Sequence, residues 1–167
     1  YTTNKKEGLL QMGKDYISEG KYSEAREVLE DLKLEEAKEL YALAENNNLV
    51  LLEACKTAFC PSFNHLVTLV KSGVIGDVVD VKSSLSKIVA SPSRELDLMQ
   101  SGGAMNEHAS ITLLPIIKIL GLDYSSFDFH SKVDNGVDIY TKVVLNYPHA
   151  TASATLGIGV KTEGNLI

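Results

Sequence analysis

The chain has 167 residues, enough for one domain with a proper core or for one domain plus an appendage. It is 44% hydrophobic and 23% charged, as globular proteins are, and its net charge of −6 argues against nonspecific nucleic-acid binding, which needs clustered Lys and Arg. No apolar run reaches the roughly 20 residues of a membrane-spanning helix, no signal-peptide pattern opens the chain, and two cysteines make no disulfide framework, so a reducing cytoplasm is the expected compartment.

The chain opens on Tyr1 rather than Met and is expected to be a piece of something longer. Residues 5–46 are charged and rich in Leu and Ala, which predicts helix: one over about 7–19, a turn at Gly20-Lys21, a second from Ser23, which has the N-cap residue type, and a third over about 34–46. Met12, Gly13, Tyr16, Gly20, Tyr22, Ala25 and Leu29 fall where a tetratricopeptide-type hairpin places its packing residues, although only one such unit is visible. Asn46-Asn47-Asn48 ends the helical segment, and from Leu49 the pattern becomes mixed α/β. Leu49 to Leu52 is a continuous apolar run, which predicts a strand buried on both faces of a parallel sheet. Pro61, then Phe63, Leu66, Val67 and Val70 predict an amphipathic helix with Ser62 available as its cap and Gly73 as its stop.

A strand follows over Val78–Val89, then a polar loop over Pro92–Gly103 and a helix over Ala104–Leu120, bent near Pro115 and stopped by Gly121. Three strands at about 126–133, 137–147 and 150–160 complete the chain, the last two joined as a hairpin at Tyr147-Pro148-His149. In the final strand Ala150, Ala152, Ala154, Leu156, Ile158 and Val160 alternate with Thr151, Ser153, Thr155, Gly157 and Gly159, giving one apolar face and one of small hydroxyls and glycine. A face so poor in charge suits packing against another sheet or subunit.

Five blocks from Leu34 onward carry a family resemblance: Leu34-Glu35-Glu36-Ala37-Lys38-Glu39-Leu40, Leu51-Leu52-Glu53-Ala54, Phe59-Cys60-Pro61-Ser62-Phe63, Ser72-Gly73-Val74-Ile75-Gly76-Asp77-Val78 and Ser101-Gly102-Gly103-Ala104-Met105-Asn106-Glu107. In order and spacing they resemble the glucose–fructose oxidoreductase/inositol dehydrogenase (Gfo/Idh/MocA) family of NAD(P)-dependent oxidoreductases. The resemblance implies an α+β fold for residues 49–167, an open, mostly antiparallel sheet with helices on one face that binds substrate and forms oligomers. Residues 1–48 are a helical segment, a remnant or replacement of the cofactor domain. The departures are specific. No G-x-G-x-x-G dinucleotide loop is present, Ser23 to Lys33 contains no Glu-Lys-Pro motif, and the family's catalytic lysine has no counterpart. Where the family often carries Asp and, four residues on, His, this chain holds Glu107 and Ile111. The sheet stops at Ile167 where a Gly-Thr-x-Gly turn and more sheet would be expected.

Asn106, Glu107 and Ser110 fall on one helical stripe after Gly102-Gly103, and in the family's geometry they project toward the ligand cleft. They are the candidate substrate-binding residues, with Glu107 also the candidate proton acceptor; its alternative role is to complement the positive helix end. Lys56, just past the apolar run, is the fourth candidate, for a substrate carboxylate or phosphate or near the nicotinamide. Cys55, Cys60 and His65 have zinc-ligand residue types, but C-x4-C-x4-H is no familiar zinc spacing and a fourth ligand is missing, so no metal is expected. His108 points roughly 100° away from Glu107 on an ideal helix; His130 and His149 read as surface residues.

The expected function is the C-terminal substrate-binding part of an NAD(P)-dependent oxidoreductase acting on a sugar, polyol or related hydroxy compound. NAD or NADP would serve the complete enzyme, with none bound by this chain alone, and a homo-dimer or higher oligomer would form through the open sheet. The alternative is a non-catalytic scaffold, a decayed dehydrogenase domain joined to a helical interaction module.

Overall fold

The structure, a computed structural model, describes residues 2–52, 55–100 and 102–161. Expectations that fall on Glu53, Ala54, Ser101 and the tail from Thr162 lie outside the described residues. The chain divides into two compact units, Tyr1–Ala54 with Leu98–Ser101, and Cys55–Asp97 with Gly102–Ile167.

The first unit is a helical hairpin of α1 (Thr2–Ser18) and α2 (Tyr22–Asn46). Gly20, at φ +73°, turns the chain: the Lys21 N–H donates to the Tyr16 carbonyl (2.8 Å) and the Gly20 N–H to that of Ile17 (3.0 Å), the paired bonds of a glycine helix stop. Ala25, Leu29 and Leu32 are the buried positions of α2, and Gly13 lets α1 approach the Leu29 side chain. Met12 and Tyr22, expected among the packing residues, are exposed. The second and third expected helices are one, because Glu30-Asp31-Leu32-Lys33 contains no breaker. Nor does Ser23 cap it; the helix begins one residue earlier, at Tyr22. Asn48, at φ +52°, stops α2.

Leu49 to Leu52 form no strand and are exposed, Val50 to 86%. This corrects the expected buried parallel strand, and the reason is elementary. Strand hydrogen bonds are made to a neighbour, and no neighbouring strand pairs with this run among the described residues.

In the second unit a 3-10 turn (Lys56–Phe59) leads into α3 (Pro61–Lys71), whose first position is Pro61, where a missing N–H costs nothing. Cys60, not Ser62, holds the cap position. Strands β1 (Asp80–Ser86), β2 (Ser126–Asp134), β3 (Val137–Asn146) and β4 (Thr151–Gly157) form one sheet in the order β1-β4-β3-β2. β1 runs parallel to β4 and the other pairs are antiparallel. α4 (Ala104–Leu120) covers one face and lies over β4 and β1, reaching β3 as well. It passes Pro115 without a break, since that ring removes only one backbone bond.

Register places Val81, Ser83 and Leu85, Ala152, Ala154 and Leu156, and Thr141, Val143 and Leu145 on the covered face, where they meet Ala104, Thr112 and Ile116 of the helix. Alanines on β4 let the helix backbone come close. The opposite face carries the expected hydroxyls Thr151, Ser153 and Thr155, but the neighbouring strands add charge: Lys82 pairs with Asp80 at 2.9 Å, and Lys142 stands beside Thr155.

β2 and β3 are joined by Asn135 and Gly136 at φ +47° and +78°, the pair a two-residue hairpin turn of matching twist requires. A Gly136→Ala substitution places a Cβ in this left-handed conformation and should destabilise the sheet unit by about 1–2 kcal/mol, read as a lowered midpoint in urea unfolding followed by circular dichroism.

Candidate functional site

The start of α4 is built by three close approaches. The Gly102 N–H donates to the Asp97 carbonyl (2.8 Å) and the Gly103 N–H to that of Glu95 (3.0 Å), stapling loop 93–97 to the helix end. A side chain at Gly102 would collide with the Glu95 carbonyl. Gly103, at φ +133°, leaves the space that the Asp138 carboxylate fills.

Asp138, 3% exposed on β3, accepts hydrogen bonds through Oδ2 from the Met105 N–H (3.0 Å) and the Thr141 hydroxyl (2.8 Å), and Thr141 in turn lies 2.9 Å from the Ser131 hydroxyl. A helix end exposes unpaired N–H groups and a partial positive charge. Here an internal carboxylate meets both.

Glu107 therefore has a different partner from the helix end. Its Oε2 accepts from Nη2 of Arg94 at 2.8 Å, with the Glu107 side chain 19% exposed and that of Arg94 51%. The bonded carboxylate holds the Arg94 guanidinium above its ordinary pKa. Next to Arg94, the hydrogen bond from the Ser93 hydroxyl keeps the Glu95 carboxyl below the usual range.

Asn106 is exposed and its side-chain amide donates to the Gly102 carbonyl (3.3 Å); Ser110, one turn on, is exposed too. On an ideal helix residues 106, 107 and 110 span an arc opposite the sheet-facing stripe of Ala104, Thr112 and Ile116. α4 thus presents the three candidates together on its solvent side. Lys56 is exposed on a different element, the 3-10 turn ahead of α3.

His108 lies toward the sheet, its Nε2 buried and without a hydrogen-bond partner among the described residues. His130 and His149 are exposed. No group of three or more His, Cys, Asp or Glu is placed to hold a metal among the described residues, and no helix among them is long and apolar enough to cross a membrane. Cys60 stands at the N-cap position of α3, and the Ser62 hydroxyl, 3.0 Å away, together with the neighbouring N–H groups of Phe63 and Ser62, lowers the pKa of its thiol.

Three features escaped the sequence reading. Arg94 stands in a polar loop with no periodicity to mark it. Asp138 left a trace, the one acid of its strand, second in it after Val137. An apolar groove of about 240 Å³ beside α4, walled by Met105, Leu122, Tyr124, Phe127, Phe129 and Tyr147, depends on the register of β2 against β3.

No protein-family model matches the chain. Among curated proteins it is similar to a trans-1,2-dihydrobenzene-1,2-diol dehydrogenase from Sus scrofa, 28% identical over 115 residues that cover 68% of this chain and 34% of the relative. Among solved structures it is similar to a variant of KijD10, a 3-ketoreductase from Actinomadura kijaniata, in complex with TDP-benzene and NADP (TM-score 0.61, 21% identity, 74% of this chain and 39% of that one). Another is an oxidoreductase from Agrobacterium radiobacter in complex with NAD+, L-tartaric acid and magnesium (TM-score 0.53, 18% identity, 79% of this chain and 40% of that one). The chain spans about a third of the length of the curated relative.

Removing the carboxylate that seats α4 takes this acceptor from the part-buried Met105 N–H and from the Thr141 hydroxyl, so Asp138→Ala should cost about 2–4 kcal/mol of unfolding free energy in urea. Separately, iodoacetamide at neutral pH should alkylate Cys60, and Ser62→Ala should slow that reaction several-fold by removing the hydroxyl that stabilises the thiolate, as followed by mass spectrometry.

Proposed function

We propose that this chain, which has the fold of the C-terminal part of Gfo/Idh/MocA-type oxidoreductases, is the substrate-binding part of an NAD(P)-dependent oxidoreductase acting on a sugar, polyol or related hydroxy compound. The observation that carries the reading is the start of α4. A loop held by two backbone hydrogen bonds and two glycines sets Asn106, Glu107 and Ser110 on one polar arc, with Asn106 and Ser110 exposed and Glu107 partly so. Asn106 and Ser110 offer neutral donors and acceptors suited to hydroxyl groups, and Glu107 offers an anionic acceptor kept in place by Arg94. Lys56 would serve an anionic part of the substrate.

The residues present do not fit a dinucleotide. A pyrophosphate needs a glycine-rich turn at a helix N-terminus, and the glycine-opened helix of this chain has its positive end filled by Asp138. The nicotinamide cofactor belongs, on this reading, to a Rossmann half outside these 167 residues, and the chain alone does not turn over. Its own residues bind and orient. The hydroxyl-bearing sheet face, with Ser153, Thr155 and Val144, is the surface through which it would pair with a second copy.

A second reading, a non-catalytic scaffold, is favoured by one observation: Leu34 and Tyr41 of α2, each 54% exposed, lie on the side of the helix away from its buried stripe. Calorimetric titration of the 167-residue protein separates the two. The substrate-binding reading expects D-glucitol to bind, with about a tenfold loss in Glu107→Gln, the value of a charge-assisted hydrogen bond, and no binding of NAD or NADP. Absence of any polyol binding favours the scaffold, and micromolar dinucleotide binding contradicts the assignment of the cofactor site to another half.

A further inference from the structure

Resting on that reading of the α4 site, we infer that Arg94 is a specificity-determining residue and that the substrate class is a hydroxy acid, a compound carrying a carboxylate beside its hydroxyls. Four observations lead there. First, Arg94 is not on a wandering loop. It opens the 3-10 turn Arg94–Leu96, and the residues just after it are bonded to the helix start through Asp97 to Gly102 and Glu95 to Gly103. A Cβ at Gly102 would push the Glu95 carbonyl away, so the close approach is built into the sequence. The cation is therefore placed before any ligand arrives.

Second, the ion pair with Glu107 uses one N–H of Nη2, and half of the Arg94 side chain remains exposed. The planar guanidinium retains further N–H groups, the fork that grips a carboxylate by two parallel bonds.

Third, the usual anion receptor at such a place, the helix end, is closed. Asp138 occupies it. The neighbouring Lys87 is drawn to Glu95 at 3.7 Å. Arg94 is the cation bonded directly to the polar arc of α4, through Glu107.

Fourth, the pair is bipolar, and this sets the arrangement of the ligand. Glu107 repels a carboxylate and attracts a hydroxyl proton, whereas the outer edge of Arg94 does the reverse. A ligand with a carboxylate at one carbon and hydroxyls on its neighbours satisfies both, with the hydroxyls on Glu107, Asn106 and Ser110. A neutral polyol satisfies only the second.

The test compares D-gluconate with D-glucitol, which share a six-carbon hydroxylated chain and differ in the carboxylate, by calorimetric titration of the 167-residue protein and of Arg94→Gln and Arg94→Lys. The expected result is D-gluconate binding at least about tenfold tighter than D-glucitol, a preference, read as the ratio of the two affinities within each variant because Arg94 also holds Glu107, that weakens as salt is added, shrinks in Arg94→Lys and disappears in Arg94→Gln. Circular dichroism melts check that both variants are folded, and Arg94→Lys keeps the charge should Arg94→Gln not fold. Binding of D-glucitol without preference for D-gluconate, or a preference that survives Arg94→Gln, overturns the inference and leaves the substrate-binding reading standing. Binding of neither compound overturns both.

Discussion

The Asp138 carboxylate is the contact on which the rest of the second unit depends. It is buried, it accepts from the start of α4 and from Thr141 of its own strand, and it occupies the space that only a glycine at position 103 leaves. One charged group thereby fixes where the helix begins, how it is turned over β4, and how near loop 93–97 can come. Everything proposed for the site follows from this placement, because Asn106, Glu107 and Ser110 are set by the helix start and Arg94 by the loop. The same contact also excludes a chemistry. A helix end that could receive a phosphate is already neutralised from within, so recognition of an anion passes to a side chain.

Legibility in the sequence followed the range of the forces involved. The two-residue alternation of the last strand held over Thr151–Leu156, since the pleat enforces it locally, with Ala152, Ala154 and Leu156 buried as the pattern requires, while the expected continuation to residue 160 is not strand. The stop signals were equally local, and Gly20, Asn48, Gly73 and Gly121 all take left-handed conformations at the ends of helices or turns. Where the reading failed, a partner was needed. Leu49 to Leu52 have the composition of a buried strand yet form none and are exposed, because composition supplies a strand's side chains but not the neighbour its backbone must bond. The division of the helical segment near Leu34 failed in the opposite sense, for two stretches with helical spacing read as two helices where the residues between them favour uninterrupted helix.

At the site, the helical spacing of Asn106, Glu107 and Ser110 was enough to place them on one arc. The two residues that define their electrostatics were not legible. Arg94 and Glu107 are joined across a loop whose path depends on two backbone hydrogen bonds, and Asp138 reaches α4 from a strand about thirty positions away in the chain. Charge pairs of this kind carry no sequence period, so only the folded backbone reveals them.

The central claim, that the stapled start of α4 is where ligand binds, is tested most directly by amide chemical-shift mapping of the isotope-labelled protein during titration with D-gluconate. The account predicts saturable shifts confined to Arg94, Asn106, Glu107, Ser110 and the amides of Gly102 and Gly103. Shifts centred instead on Phe127, Phe129 and Tyr147 in the apolar groove, or none at all, would contradict it.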